Sequence, residues 1–216
     1  MISMEEPNAI IDQVAEQVSE RMSGQQAGHG VDHVLRVLKT AREIQAQVGG
    51  DRFVVELAAW LHDVGDAKFH DGVERSAEFA REILRDLDVG NDIIEHVSHI
   101  VDNLSFRKGS AAKELSLEGK IVQDADRLDA LGAIGIVRTI EFGATRGQPF
   151  YVSEANDGST DSSKAGTGKT GIGHFHEKLF KLRDLLNTEP AKHIAAEREQ
   201  FMRAFLDQFL RECGEE

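Results

Sequence analysis

The sequence predicts an all-α protein of a single domain. Three observations carry this reading. Apolar residues recur at helical spacing along most of the chain, strand-like alternation is nearly absent, and only three prolines interrupt the 216 residues. With 40% hydrophobic residues, the chain is long enough to bury one sizeable core.

The elements follow in order. An amphipathic opening helix is expected over about 8–22. A second helix runs from about His29 to Val48 and is stopped by Gly49-Gly50. A third leads from about Phe53 to the His62-Asp63 pair. Two more cover about 74–87 and 91–104. A further pair spans about 117–142, broken near Gly132 and Gly135. The last two cover about 174–187 and 190–212. In the final helix Phe201, Met202, Phe205, Leu206, Phe209 and Leu210 form a core-facing stripe. Between Gly143 and Gly173 the periodicity collapses into a stretch rich in Gly, Ser, Thr and Asp, read as a loop beside the active site. The domain over 1–216 thus divides into a core of about 28–142, a loop of about 143–173 and C-terminal helices of about 174–212.

Composition narrows the function. The formal net charge is -13, and such a surface repels phosphate backbones, which argues against duplex nucleic acid. No stretch approaches the roughly 18 apolar residues of a membrane span. The opening MISMEEPNAIIDQ lacks the basic start and apolar run of a secretory signal. The single cysteine, Cys213, cannot form an internal disulfide. Together these features predict a cytoplasmic protein. A homodimer is compatible with them.

Three segments carry candidate chemistry. In HGVDHVLRV (29–37), His29, His33 and Arg36 form a polar wedge set apart from Val31, Val34, Leu35 and Leu38. In LAAWLHDVGDAKFH (57–70), an apolar run leads straight into His62-Asp63. An ionisable pair in such a place is costly unless compensated, and a divalent cation compensates it directly. In KIVQDADRLDALGAIG (120–135), Asp126 and Asp129 share a face while Asp124 points elsewhere. A mixed imidazole and carboxylate set suits Mn, Fe, Co, Ni or Zn.

The order H…HD…D, with HxxRV, LHDxGD and ADRLDA around its members, resembles the signature of the HD-domain metal-dependent phosphohydrolases. SFRKG (105–109), DADRLDALGAIGI (124–136) and HFHEKLFKLRDLLNT (174–188) extend the likeness to a small bacterial subgroup, the YpgQ/YedJ-like proteins. The resemblance implies an HD helical bundle. It also implies one divalent metal ion held by His33, His62, Asp63 and Asp126, with manganese first and Mg, Co, Ni, Fe or Zn as alternatives. Asp66 stands where related HD nucleotidases carry a carboxylate, which implies a general base or acid. Lys68 and Arg36 are phosphate-contact candidates, and Asp129 and Asp32 are candidates for orienting neighbouring groups.

The implied substrate is a small phosphorylated molecule, a nucleotide first, with pyrophosphate released from a (deoxy)nucleoside triphosphate. Monophosphatase or cyclic phosphodiesterase activity comes next. Two readings from other classes are a di-iron oxygenase, for which His96 would be the extra ligand, and an inactive ligand-binding protein.

Other features invite weaker readings. His174, Lys178 and Lys181 fall on one face of the helix expected there and could reach a triphosphate tail. SSKAGTGKTG (162–171) departs from a P-loop at its first position, where Ser163 replaces glycine, though Lys164 or Lys169 could touch phosphates. On the helix over 91–104, Ile93, Ile94, Val97, Ile100, Val101 and Leu104 mark the buried stripe. His96 then lies at its edge, and His99 nearly opposite, toward solvent.

Overall fold

The computed structural model describes residues 5–23, 30–67, 70–104, 113–153 and 170–215. The described residues are helical or irregular, with no strand among them, as the periodicity requires. None of the helices among the described residues is long and apolar enough to cross a membrane. The domain expected over 1–216 resolves into two compact units, Met1–Asp126 and Arg127–Glu216.

The first unit is built around one buried helix. α1 (Glu5–Arg21), α2 (Val31–Val48), α3 (Arg52–Leu61), α4 (Ser76–Asp86) and α5 (Asn91–Asn103) follow in order, and α6 (Leu117–Asp129) begins in this unit. α3 packs against α1, α2, α4 and α5. Its sequence RFVVELAAWL is apolar almost all round, and every residue from Val54 to Leu61 is buried, as expected of a helix with neighbours on every side. Asp51 caps it, its side chain accepting from the backbone N–H groups of Phe53 and Val54.

The one buried charge of α3 is Glu56, 5% exposed. Arg42 grips both its oxygens at 2.9 and 2.6 Å, and Arg52 adds a bond of 2.6 Å. Burial pushes the Glu56 carboxyl up, but the bonds and charge of the two arginines outweigh it and hold the group below the usual carboxylate range. A depressed carboxylate lends stability above its unfolded-state pKa, and that stability is lost as pH falls through the folded-state value. Glu56→Gln is therefore expected to destabilise the protein by about 2 kcal/mol at neutral pH, with the difference from wild type shrinking on acidification. Denaturant unfolding at a series of pH values checks this. A penalty that stays constant into the acid range would contradict it.

The second unit holds α7 (Gly132–Thr145), α8 (Gly171–Glu177), two 3-10 turns (Leu179–Lys181 and Arg183–Leu185) and α9 (Glu189–Glu212). α7 packs on α9 and α8. Met202 and Leu206 of α9 are buried, as the stripe predicts, but Phe201 is 53% exposed. Phe205 and Phe209 are half-buried and pack edge-on against Phe150.

Several boundaries differ from expectation. The break in 117–142 falls at Ala130-Leu131. Gly132 opens α7 with φ 73°, and Gly135 lies inside that helix, where a Cβ would come within 2.2 Å of the Ala130 carbonyl oxygen. The loop expected over 143–173 is shorter at both ends, because α7 runs to Thr145 and α8 starts at Gly171. Thr170 fixes that start by accepting from the Gly173 N–H. Residues 154–169, with Lys164 and Lys169, lie outside the described residues.

The expected helix over 174–187 is α-helical only to Glu177. At Lys178 the backbone leaves the helix (φ -131°, ψ -56°) and continues in 3-10 turns. The three-residue repeat of those turns buries Leu179 and Leu182 together. His174, Lys178 and Lys181 therefore share no continuous helical face.

Candidate metal centre

α2, the end of α3 and α6 each deliver part of one cluster. His33 lies on α2, but not on a wedge apart from its apolar side. It is 1% exposed and buried alongside Val34, Val37 and Leu38, whereas Leu35, expected in the apolar stripe, is 45% exposed. A histidine in the packed stripe of a helix has few rotamers open to it, which fixes where its ring points. His29 lies outside the described residues.

α3 ends at Leu61, and the chain turns through His62, Asp63, Val64 and Gly65. His62 is 7% exposed. Its Nδ1 lies 2.8 Å from the Ala59 carbonyl oxygen. A carbonyl can only accept, so Nδ1 carries the proton and Nε2 presents a lone pair. That Nε2 sits 3.1 Å from Nε2 of His33, with the rings edge to face.

Two carboxylates complete the group. Asp63 Oδ2 is 3.6 Å from each of the two Nε2 atoms, and Asp126 Oδ1 of α6 is 3.4 Å from Nε2 of His33. The histidine side chains are 1% and 3% exposed, against 20% for Asp63 and 40% for Asp126. The imidazoles form the floor and the carboxylates the open rim. Burial pushes the Asp126 carboxyl up. The His33 hydrogen bond and the electrostatic pull of His62 and His33 outweigh it, against opposition from Asp63, and hold the group below the ordinary range.

The donor chemistry fits a divalent cation. Ligand atoms of His33, His62 and Asp63 lie within 4.8 Å of one another, so one ion could be shared. Lone pairs and carboxylate oxygens converging this closely repel unless a proton or cation lies among them. The carbonyl bond of His62 is the type of outer contact that orients a metal-ligating histidine.

The remaining candidates are placed as follows. Asp66 is in the turn after Asp63, 8% exposed, its N–H donating to the Asp63 carbonyl at 3.1 Å. Arg36 is half-buried on α2, one turn past His33, and Asp32 is exposed. Lys68 lies outside the described residues. Asp129, 4% exposed, is paired with Arg138 at 2.6 Å, an arginine partner that spacing along α6 does not single out. His174 and Lys178 belong to the second unit. Burial, and then the charge of Lys178, push the His174 imidazole down, so near neutral pH it offers a hydrogen bond rather than a cation. Lys178 is exposed.

The two histidines of α5 have other partners. His96 Nε2 is 2.8 Å from Ser116 Oγ and 3.6 Å from Glu118 Oε2. His99 is half-buried rather than fully turned to solvent, and its Nε2 donates to the Glu114 carbonyl oxygen at 2.9 Å. Ser116 and Glu114 sit in the stretch leading into α6, a segment whose approach to α5 leaves no trace in helical periodicity.

Comparison with known proteins places this arrangement. Residues 30–131 match the profile of the HD domain family. YpgQ of Bacillus subtilis is 40% identical over 184 residues, covering 84% of this chain and 83% of YpgQ. An HD-superfamily hydrolase from Bacillus thuringiensis shares the fold at a TM-score of 0.78 and 36% identity, over 97% of this chain and 100% of that one. The crystal structure of YpgQ in complex with ADP matches at a TM-score of 0.77 and 32% identity, over 96% of each chain.

Proposed function

The chain belongs to the HD domain family, and on that premise we propose that it is a metal-dependent phosphohydrolase whose substrate is a nucleotide, with pyrophosphate released from a nucleoside triphosphate as the first choice. The observation that carries the reading is the convergence of two Nε2 atoms and two carboxylates from three segments of the chain. The nucleotide is supported by the ADP held in the related YpgQ structure.

His33, His62, Asp63 and Asp126 would hold one divalent ion, manganese first. When bound, such an ion supplies Lewis acidity toward phosphoryl oxygens and makes water more acidic. His62, locked by the Ala59 carbonyl, keeps its Nε2 lone pair aimed at the site. The Asp126 carboxylate, held below the ordinary range, stays ionised at the rim. Asp66 moves the proton, taking it from the attacking water or returning it to the leaving group. Arg36 and Lys68 contact phosphate oxygens. Water's oxygen bonds to the α-phosphorus, the bond to the bridging oxygen breaks, and nucleoside monophosphate and pyrophosphate leave.

The test is to strip the protein of metal, restore Mn, Mg, Co, Ni, Fe or Zn one at a time, and offer tri-, di-, mono- and cyclic nucleotides. Phosphate and pyrophosphate are assayed separately. Pyrophosphate from triphosphates in the manganese sample is the expected result. Phosphate from monophosphates alone would keep the mechanism and overturn the substrate.

A further inference from the structure

The turn that carries Asp63 and Asp66 is not held by its own helix alone. Gly65 has both backbone polar groups tied to the segment that enters α4. Its N–H donates to Ser76 Oγ at 3.1 Å, and its carbonyl accepts from the Arg75 N–H at 2.9 Å. Ser76 is 1% exposed. Its hydroxyl donates in turn to Glu74 Oε1 at 2.5 Å, and its N–H donates to the same oxygen at 3.0 Å. The other oxygen of Glu74 accepts, at 3.4 Å, from the N–H of Ala67. Glu74 and Ser76 together therefore bond to the residues on either side of Asp66.

The contact is close as well as polar. A Cβ on Gly65 would lie 2.6 Å from the Arg75 carbonyl carbon and 2.7 Å from the Ser76 nitrogen. Backbone meets backbone here with no side chain between, so a shift at Ser76 passes directly to the turn. Three of the four metal-binding candidates have supports elsewhere: His33 and Asp126 lie on helices α2 and α6, and the His62 ring is fixed by Ala59, with Asp63 directly after it. Asp66 lies in no helix.

We propose that Glu74 and Ser76 are positioning residues for Asp66, fixing the carboxylate that moves the proton rather than the metal ion. The proposal rests on the hydrolase reading above. It predicts a loss in turnover that is not a loss in metal affinity. A displacement of about 1 Å in a proton-transfer group costs on the order of 100-fold in rate, while disturbing a group that orients a metal ligand costs about 10–100-fold in metal affinity.

The experiment compares Ser76→Ala, Glu74→Ala and Glu74→Gln with wild type. Glu74 is exposed, so its variants test the clamp without opening the core, and glutamine keeps an accepting oxygen. Three quantities are read: kcat with saturating metal, metal affinity, and amide exchange of Gly65 and Ala67 without substrate. In both alanine variants, kcat is expected to fall about 10–100-fold, metal affinity to stay within about threefold, and exchange at the two amides to quicken at least about tenfold. Glu74→Gln should recover part of the turnover. Unchanged exchange, or faster exchange with unchanged kcat, overturns the proposal. So does a fall in kcat that follows metal affinity. Wild-type protein that binds metal yet cleaves no phosphoester removes the hydrolase reading and the positioning role with it. That failure shows in wild type, before any variant is compared.

Discussion

Asp63→Ala is expected to lower metal-dependent hydrolysis by at least about 10³-fold and to leave the helices folded. Asp63 Oδ2 lies 3.6 Å from both histidine Nε2 atoms. Without it the set keeps two imidazoles and the more exposed Asp126, too little negative charge and too few donors to hold a divalent ion against water. Stability should change little, because the side chain is 20% exposed and its removal leaves no closed cavity. Metal content after dialysis, circular dichroism and turnover at saturating metal measure the three parts. Wild-type turnover at saturating metal would remove Asp63 from the ligand set.

Gly65→Ala is expected to destabilise the protein by roughly 3 kcal/mol and to weaken activity with it. The reason is space rather than backbone freedom. The added methyl would meet two backbone atoms of Arg75 and Ser76 below 3 Å, and Phe79 Cδ2 at 2.9 Å. Backbone in a doubly bonded turn cannot step aside as the end of a flexible side chain can. Gly90→Ala is the control, since nothing lies within 4 Å of its Cβ position. Its effect should stay within about 1 kcal/mol, the scale of a weakened helix cap. Denaturant midpoints of the two variants decide the matter, and equal midpoints would contradict the packing argument.

His62-Asp63 stood out because a costly ionisable pair at the end of an apolar run calls for a compensating partner, and the resemblance to the HD signature joined His33 and Asp126 to it. Apolar periodicity made the helices of the first unit readable to within a few residues. Other features carry no periodic signal. Ser76 meets Gly65 through loop backbone, so neither a stripe nor a motif announces the bond. Arg138 meets Asp129 only because the chain breaks at Ala130-Leu131. The α-helix ends at Lys178 without glycine or proline to mark it, and the leucines beyond fit α and 3-10 spacing equally well. Glu56 could have been noticed as the one acid in an apolar helix, by the reasoning that found His62, but the charges that neutralise it are arginines rather than an ion.

The candidate ligands lie far apart along the chain, at 33, 62, 63 and 126, and meet only when α2, α3 and α6 have assembled. An ion gripping all of them would be a removable cross-link. It would have little affinity for the unfolded chain, where the same groups are dispersed, so its binding energy would add to the free energy of folding. At a free concentration of a hundred times its dissociation constant, the gain is about 2.7 kcal/mol. The melting temperature of this unit would then depend on metal supply, and a cell starved of the ion would lose the protein to unfolding and proteolysis as well as losing its activity.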